Sequence, residues 1–170
     1  MDKKIAEMLN ESIRQELLVS DFYGLFETIF REDREFWYKL SQEELNHSAI
    51  LQAERDAFYE AGLLPEKLAL ADSETLQEQN VLLSDFLEIL KKTPPSIEQA
   101  FSIGFCLEGS ITETVFRSCL EAYPETRVLR IFQLIVGEER AHIERILQYA
   151  SKMEISIEKT ASLETLVGSF

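Results

Sequence analysis

From Lys4 to about Arg31 the apolar residues Ile5, Leu9, Ile13, Leu17, Phe22, Leu25 and Ile29 recur every three to five positions. That is the period of one helix face, not the alternation of a strand. The polar cluster Arg31-Glu32-Asp33-Arg34 then predicts a tight connection. Phe36, Trp37, Leu40, Leu51 and Phe58 carry a second helix to about Ala61, closed by Gly62. Residues 63–96 break the pattern with Pro65, the patch Asp72-Ser73-Glu74 and the stop Thr93-Pro94-Pro95-Ser96, and a shorter helix from about Thr75 to Lys92 is expected inside them. Ser96 before Ile97-Glu98-Gln99 reads as an N-cap with an acidic first turn. A third helix follows to about Ala122 and ends before Pro124. Pro124-Glu125-Thr126 opens a fourth, with the core ladder Val128, Phe132, Ile135 and Ile146, running to about Ala150. The weaker pattern of residues 151–170 leaves a strand-like tail and a short terminal helix both open.

Short connections make each pair of long helices an antiparallel hairpin, whereas the middle connection of 34 residues (63–96) is long enough to cross the length of a bundle. The fold class expected is all-α: a four-helix bundle over residues 1–150 with one long crossover between helices two and three. Composition agrees, since 45 % hydrophobic residues in 170 fill the core of one domain, and six glycines with four prolines leave little punctuation for an all-β fold.

The net charge of −14 repels phosphate backbones and anionic lipid headgroups, so nucleic acid is not an expected partner. No apolar run approaches the roughly 18 residues of a bilayer span, and Met1-Asp2-Lys3-Lys4 leads into a polar helix pattern instead of a signal segment. No membrane association and a cytoplasmic location are expected. Cys106 and Cys119 lie 13 residues apart in one expected helix. At 1.5 Å per residue that is roughly 20 Å, too far to pair, and both read as small apolar side chains.

The chain has two histidines, and each follows a glutamate by three residues, in Glu44-Leu45-Asn46-His47 and Glu139-Arg140-Ala141-His142. That spacing puts both side chains on one helix face, where they can bind a common metal. With 25 glutamates in the chain, chance would give both histidines such a neighbour in roughly 2 % of similar sequences, so the doubling is specific. The flanking steps Leu40, Glu44, His47, Leu51 and Phe132, Ile135, Glu139, His142, Ile146 place these polar groups inside the apolar stripe. Burial there is costly without a partner or a metal.

A bundle site also needs a carboxylate from each remaining helix. Glu16 sits among Leu9, Ile13, Val19 and Tyr23, and Glu108 among Phe101, Phe105, Thr112 and Val115. The midpoint from Glu16 to the first pair falls near Arg31, and from Glu108 to the second near Pro124, both expected turns. Each hairpin therefore brings its own three ligands level. The two halves form a loose repeat, Glu then Glu-x-x-His, at intervals of 28 and 31 residues.

This pattern resembles the ferritin-like superfamily over roughly residues 4–150, and within it bacterioferritins and rubrerythrins. The resemblance implies two irons, with manganese or mixed metal as alternatives, bridged by Glu44 and Glu139. Each metal also takes one histidine, with Glu16 and Glu108 as terminal ligands. Tyr23 matches a tyrosine that many members carry beside the metals and is the catalytic candidate. Departures set limits. Ile111 stands where rubrerythrins usually have a further glutamate, no paired cysteines supply a rubredoxin-like relay, and Leu45 replaces the haem-binding methionine of bacterioferritins. No haem is expected, and electrons must come from an external donor.

The activity expected is that of a di-iron oxidoreductase reacting with dioxygen or peroxide, as a ferroxidase or a rubrerythrin-like peroxidase. A hydroxylase like the demethoxyubiquinone hydroxylases and a non-catalytic iron carrier are the alternatives, and a homo-oligomer remains open.

Overall fold

A computed structural model describes residues 3–61, 73–109, 127–160 and 162–170. Among them are six α-helices: α1 (Lys3–Ile29), α2 (Arg34–Ala61), α3 (Ser73–Lys92), α4 (Ile97–Glu108), α5 (Arg127–Lys152) and α6 (Leu163–Val167). No strand occurs among the described residues. The polar cluster after α1 forms a single 3-10 turn, Arg31–Asp33. At Ser96 the N-cap is a full capping box, in which the serine hydroxyl accepts from the Gln99 N–H while the Gln99 side chain accepts from the Ser96 N–H. Both orphan donors are satisfied, which is why α4 starts there. The expected continuation of that helix to Ala122, Cys119, the Pro124 turn and the helix start at Pro124-Glu125-Thr126 lie outside the described residues. So do the side chains of Ile5, Phe58, Val128, Phe132 and Glu139.

Cross-helix contacts fix the directions of the helices. Between α1 and α2 they run Ser20 to Ser41, Glu16 to His47 and Asn10 to Arg55, so the two are antiparallel. Between α2 and α5 they run Phe36 to Tyr149, Glu43 to His142 and His47 to Glu138, again antiparallel. Between α4 and α5 they run Phe101 to Tyr149, Gly104 to Ile146 and Glu108 to His142. It follows that α2 and α4 point the same way. The chain between them must travel back along the molecule, and α3 does so beside α1, with Asn80 donating to Glu11 and Phe86 packed on Phe22.

One aromatic layer anchors the core. Trp37 is fully buried and packs on Tyr23, Phe26, Phe36 and Phe101, which come from α1, α2 and α4. The buried face of α1 also holds Ser12, Gln15 and Ser20, polar residues that a purely hydrophobic reading passes over. Their inward turn explains one departure from the expected stripe: Leu17, read as a core position, is 42 % exposed. At about 100° per residue, turning Glu16 inward swings Leu17 toward solvent.

The C-terminal segment combines a turn, an irregular stretch and a short helix. The Met153–Glu154 turn, with Glu154 at φ 56°, redirects the chain. Residues 155–158 belong to no helix or strand, and the Glu158 N–H donates to the Ser102 hydroxyl of α4. Ser162 caps α6, whose Leu163 and Leu166 are buried, and Phe170 meets Phe86 of α3 edge-on. The tail is thus a strap across α4 and α3.

Phe86 joins α3, α1 and the strap, so Phe86→Ala should cost about 3–5 kcal/mol of unfolding free energy in denaturant titrations. Leu17→Ser, at a position that carries no core packing, should change stability by about 0.5 kcal/mol or less. Equal effects of the two would contradict this packing.

Candidate metal centre

Two overlapping groups converge in the middle of the helices. Glu16, Glu44 and His47 form one, and Glu44, Glu108 and His142 form the other; in each, the potential ligand atoms lie within 4.8 Å of one another. All five residues are buried. Glu44 belongs to both groups and lies between the two rings. One of its oxygens is 3.1 Å from His47 Nδ1 and the other is 2.8 Å from His142 Nδ1. Glu16 closes the first group at 3.6 Å from His47 Nδ1, and Glu108 the second at 3.3 Å from His142 Nδ1. Both imidazoles therefore turn Nδ1 inward, with their planes 14° apart and centroids 5.5 Å apart.

Of the residues expected from the sequence, Glu16, Glu44, His47, Glu108 and His142 are brought together, and Tyr23 joins them by donating its hydroxyl to Glu108 Oε1 at 2.5 Å. The backbone of Glu139 sits in α5, three residues before His142, while its side chain is outside the described set. Gly104 lies one turn before Glu108, where a Cβ would sit in ordinary van der Waals contact, at 3.5 Å, with the Tyr23 ring and Ile146.

Two further residues belong to the site. His47 Nε2 lies 2.7 Å from Glu138 of α5, and His142 Nε2 lies 3.1 Å from Glu43 of α2. Each helix thus supplies the outer partner for the other helix's histidine. Arg145 donates to Glu43 at 2.5 Å and holds that carboxylate in place. When the rings are neutral, a proton kept on Nε2 by these carboxylates leaves the Nδ1 lone pair facing inward. The signal was present in the sequence as glutamate doublets, Glu43-Glu44 and Glu138-Glu139, but only one residue of each doublet lies on the stripe that the hydrophobic period picks out.

The electrostatics follow from burial and proximity. Burial disfavours ionised Glu16, and neighbouring Glu44 adds to this, so despite the nearby His47 ring its pKa is pushed up to about 8. Burial also raises Glu108, with Glu44 again contributing. Glu44 itself is buried, yet the His142 and His47 rings beside it outweigh that cost and hold it down to about 2. Burial opposes charge on the rings as well. Contacts to Glu16 and Glu44 nevertheless raise His47 to about 11, and contacts to Glu108 and Glu44 raise His142 to about 10. Without metal, protons on the rings and on Glu16 are what keep the cluster neutral enough to bury.

Of the buried side-chain atoms that have no hydrogen-bond partner among the described residues, three belong to this cluster: Glu16 Oε1, Glu44 Oε1 and His142 Nδ1. The 2.8 Å approach of His142 to Glu44 lacks hydrogen-bond geometry. Unsatisfied polar atoms are costly in a core, and these belong to the same converging groups. Oxygen and imidazole donors without thiolate suit a hard to borderline divalent cation such as iron or manganese. The residues present fit a metal ion. Comparison with known protein families, with curated proteins and with solved structures finds no match, so these residues carry the functional argument alone.

The pKa directions set opposite pH trends for the metal-free and metal-bound protein. Glu44 is lowered from 4.5, so its stabilisation is present above pH 4.5 and lost as pH falls toward 2. His47 and His142 are raised from 6.5; their stabilisation is complete below pH 6.5 and lost as pH rises through about 10 to 11. Glu16, raised from 4.5, loses its contribution as pH rises through about 8. The metal-free protein should therefore be most stable near pH 4.5 and weaken progressively above it, first as Glu16 and Glu108 lose their contribution and then as the histidines do. Metal must displace the Nδ1 protons, so the increment in melting temperature on adding metal should grow with pH. A pH-independent increment in calorimetry would contradict this arrangement. Glu43→Gln and Glu138→Gln should each weaken metal binding by about 10 to 100-fold while leaving the helical circular dichroism unchanged.

Proposed function

We propose that this chain is a ferritin-like four-helix bundle, with α1, α2, α4 and α5 as its long helices and α3 as its crossover. In this reading it acts as a di-iron oxidoreductase toward dioxygen or peroxide. The observation that carries the reading is the sharing of Glu44 between two buried carboxylate–histidine groups, each with Nδ1 turned inward. A site for a single ion needs only one such group; two groups with a common carboxylate suit a pair of ions.

A bound iron pair supplies one-electron ferrous–ferric steps at two adjacent centres, the chemistry that dioxygen and peroxide reduction requires. Everything else falls to the chain. His47 and His142 would hold one ion each with Glu44 shared between them, and Glu16 and Glu108 would complete the two ends; the repeat in the sequence would add Glu139 as a further ligand. Glu43 and Glu138 keep a proton on the outer ring nitrogens. Tyr23 orients Glu108, and the layer of Trp37, Phe101 and Phe26 keeps water from one side of the cluster. External reductant completes the cycle, either as further ferrous iron in ferroxidase turnover or as a separate electron donor in peroxidase turnover.

Anaerobic loading with ferrous iron should give about two irons per chain by metal analysis. His47→Ala and His142→Ala should each weaken one position, and the double variant should lose most binding. On mixing the loaded protein with oxygen or peroxide, ferric absorption should develop in a single oxidation that stalls until reductant is added. Comparing ferrous-iron oxidation with peroxide consumption under an external donor then separates the two activities. A protein that holds two irons and shows neither is a carrier, and the enzyme reading fails.

A further inference from the structure

The two halves of the cluster are built from the same residue types, but their surroundings differ. His47 Nε2 lies 2.7 Å from Glu138 Oε2, and among the described residues no cation besides that ring reaches Glu138. The corresponding carboxylate in the other half is shared. Glu43 Oε2 lies 3.1 Å from His142 Nε2, and the same oxygen accepts from Arg145 Nη1 at 2.5 Å. Charge that Glu138 directs at one histidine is therefore divided, at Glu43, between an imidazole and a guanidinium.

The end carboxylates repeat the contrast. Glu108 Oε1 accepts the Tyr23 hydroxyl at 2.5 Å. At the opposite end Glu16 Oε1 is buried and has no hydrogen-bond partner. A donor on a carboxylate stabilises its charge in place and leaves less of it for a metal, whether the carboxylate is a ligand or supports one. Arg145 also brings a positive charge near one histidine, which opposes a further cation there. Its side chain is 38 % exposed, so solvent screens part of that repulsion. Glu44 is common to both groups and does not distinguish them. Two separate contacts, one at Glu43 and one at Glu108, thus act on the same half.

We propose that the cluster is a pair of unequal metal positions. The position at Glu16, Glu44 and His47 fills first, the position at Glu44, Glu108 and His142 fills second, and Arg145 is the positioning residue that sets this order through Glu43. The inference rests on the two-ion reading of the cluster and not on any reaction with oxygen or peroxide. At free-metal levels between the two affinities the chain holds one ion, so the His142 half is where a second divalent cation enters and leaves.

The chain's two histidines make a position-specific test available. Full-length, metal-free protein carrying nitrogen-labelled histidine is titrated with zinc(II), which is diamagnetic and redox-inert, and the ring Nδ1 resonances are followed by nuclear magnetic resonance. Loss of one set in His142→Gln assigns the signals. The His47 resonance should shift over the first equivalent of zinc and the His142 resonance over the second. Arg145→Gln should tighten the second position about tenfold, so that both rings respond together. Arg145→Lys, which keeps the charge, should restore the order, an outcome that loss of packing alone does not produce. Tyr23→Phe should tighten the same position to a smaller extent. The order in the parent protein is read without any variant. A His142 response before or together with that of His47 overturns the proposal, and so does a folded Arg145→Gln variant that keeps both parent affinities. A single zinc held at His47, with His142 unmoved, upholds the inequality and overturns the two-ion reading. No zinc bound at either ring overturns both.

Discussion

Three carboxylates and two imidazoles share one buried volume, and the helix arrangement around them has to accommodate that cost. Ionised groups taken from water without partners are strongly unfavourable, and several acidic ones at close range repel each other as well. The chain answers by alternating acid and base: Glu44 lies between two histidines, and each histidine is held between an inner and an outer carboxylate. Protons substitute for a cation when none is bound. The result is a core that folds yet retains buried polar atoms without hydrogen-bond partners, and a bound cation would satisfy them.

That compromise demands rigid surroundings, because shifting any one helix would separate the groups that neutralise one another. Rigidity comes from the aromatic layer beside the cluster, where Trp37 touches rings from three helices. It also comes from side-chain hydrogen bonds that pin neighbouring helices, including Ser20 to Ser41 and Asn80 to Glu11. The C-terminal strap adds Leu163, Leu166 and Phe170 to the same core. Trp37 and the rings it touches are fully or nearly fully buried, so they exclude water from one side of the cluster. On the other side, Glu138 and Glu43 stand partly exposed and connect the buried rings to solvent through charged groups.

The sequence by itself determined the helical period, the stop at Pro94-Pro95, the cap at Ser96 and the inward placement of Glu16, Glu44, His47, Glu108 and His142. These are local properties: periodicity, capping chemistry and the three-residue spacing act within a turn or two of helix, so they can be read one segment at a time. The level placement of Glu16 with His47 was also legible, because a short turn fixes how far along each arm a residue lies. Leu17 and the polar members of the α1 face were not. A hydrophobic period gives the centre of a buried stripe but not its width, which depends on how many neighbours pack against it.

Only the tertiary structure decided which groups meet across helices. Glu43 and Glu138 read as ordinary surface acids until antiparallel packing of α2 and α5 carries each to the opposite helix's histidine. The stacking of Tyr149 on Phe36 and Phe101, residues far apart in the chain, follows from the same packing. Such pairings depend on the rotation of one helix about its axis relative to another. That rotation is set by the sum of many side-chain contacts, and no single segment of sequence contains it.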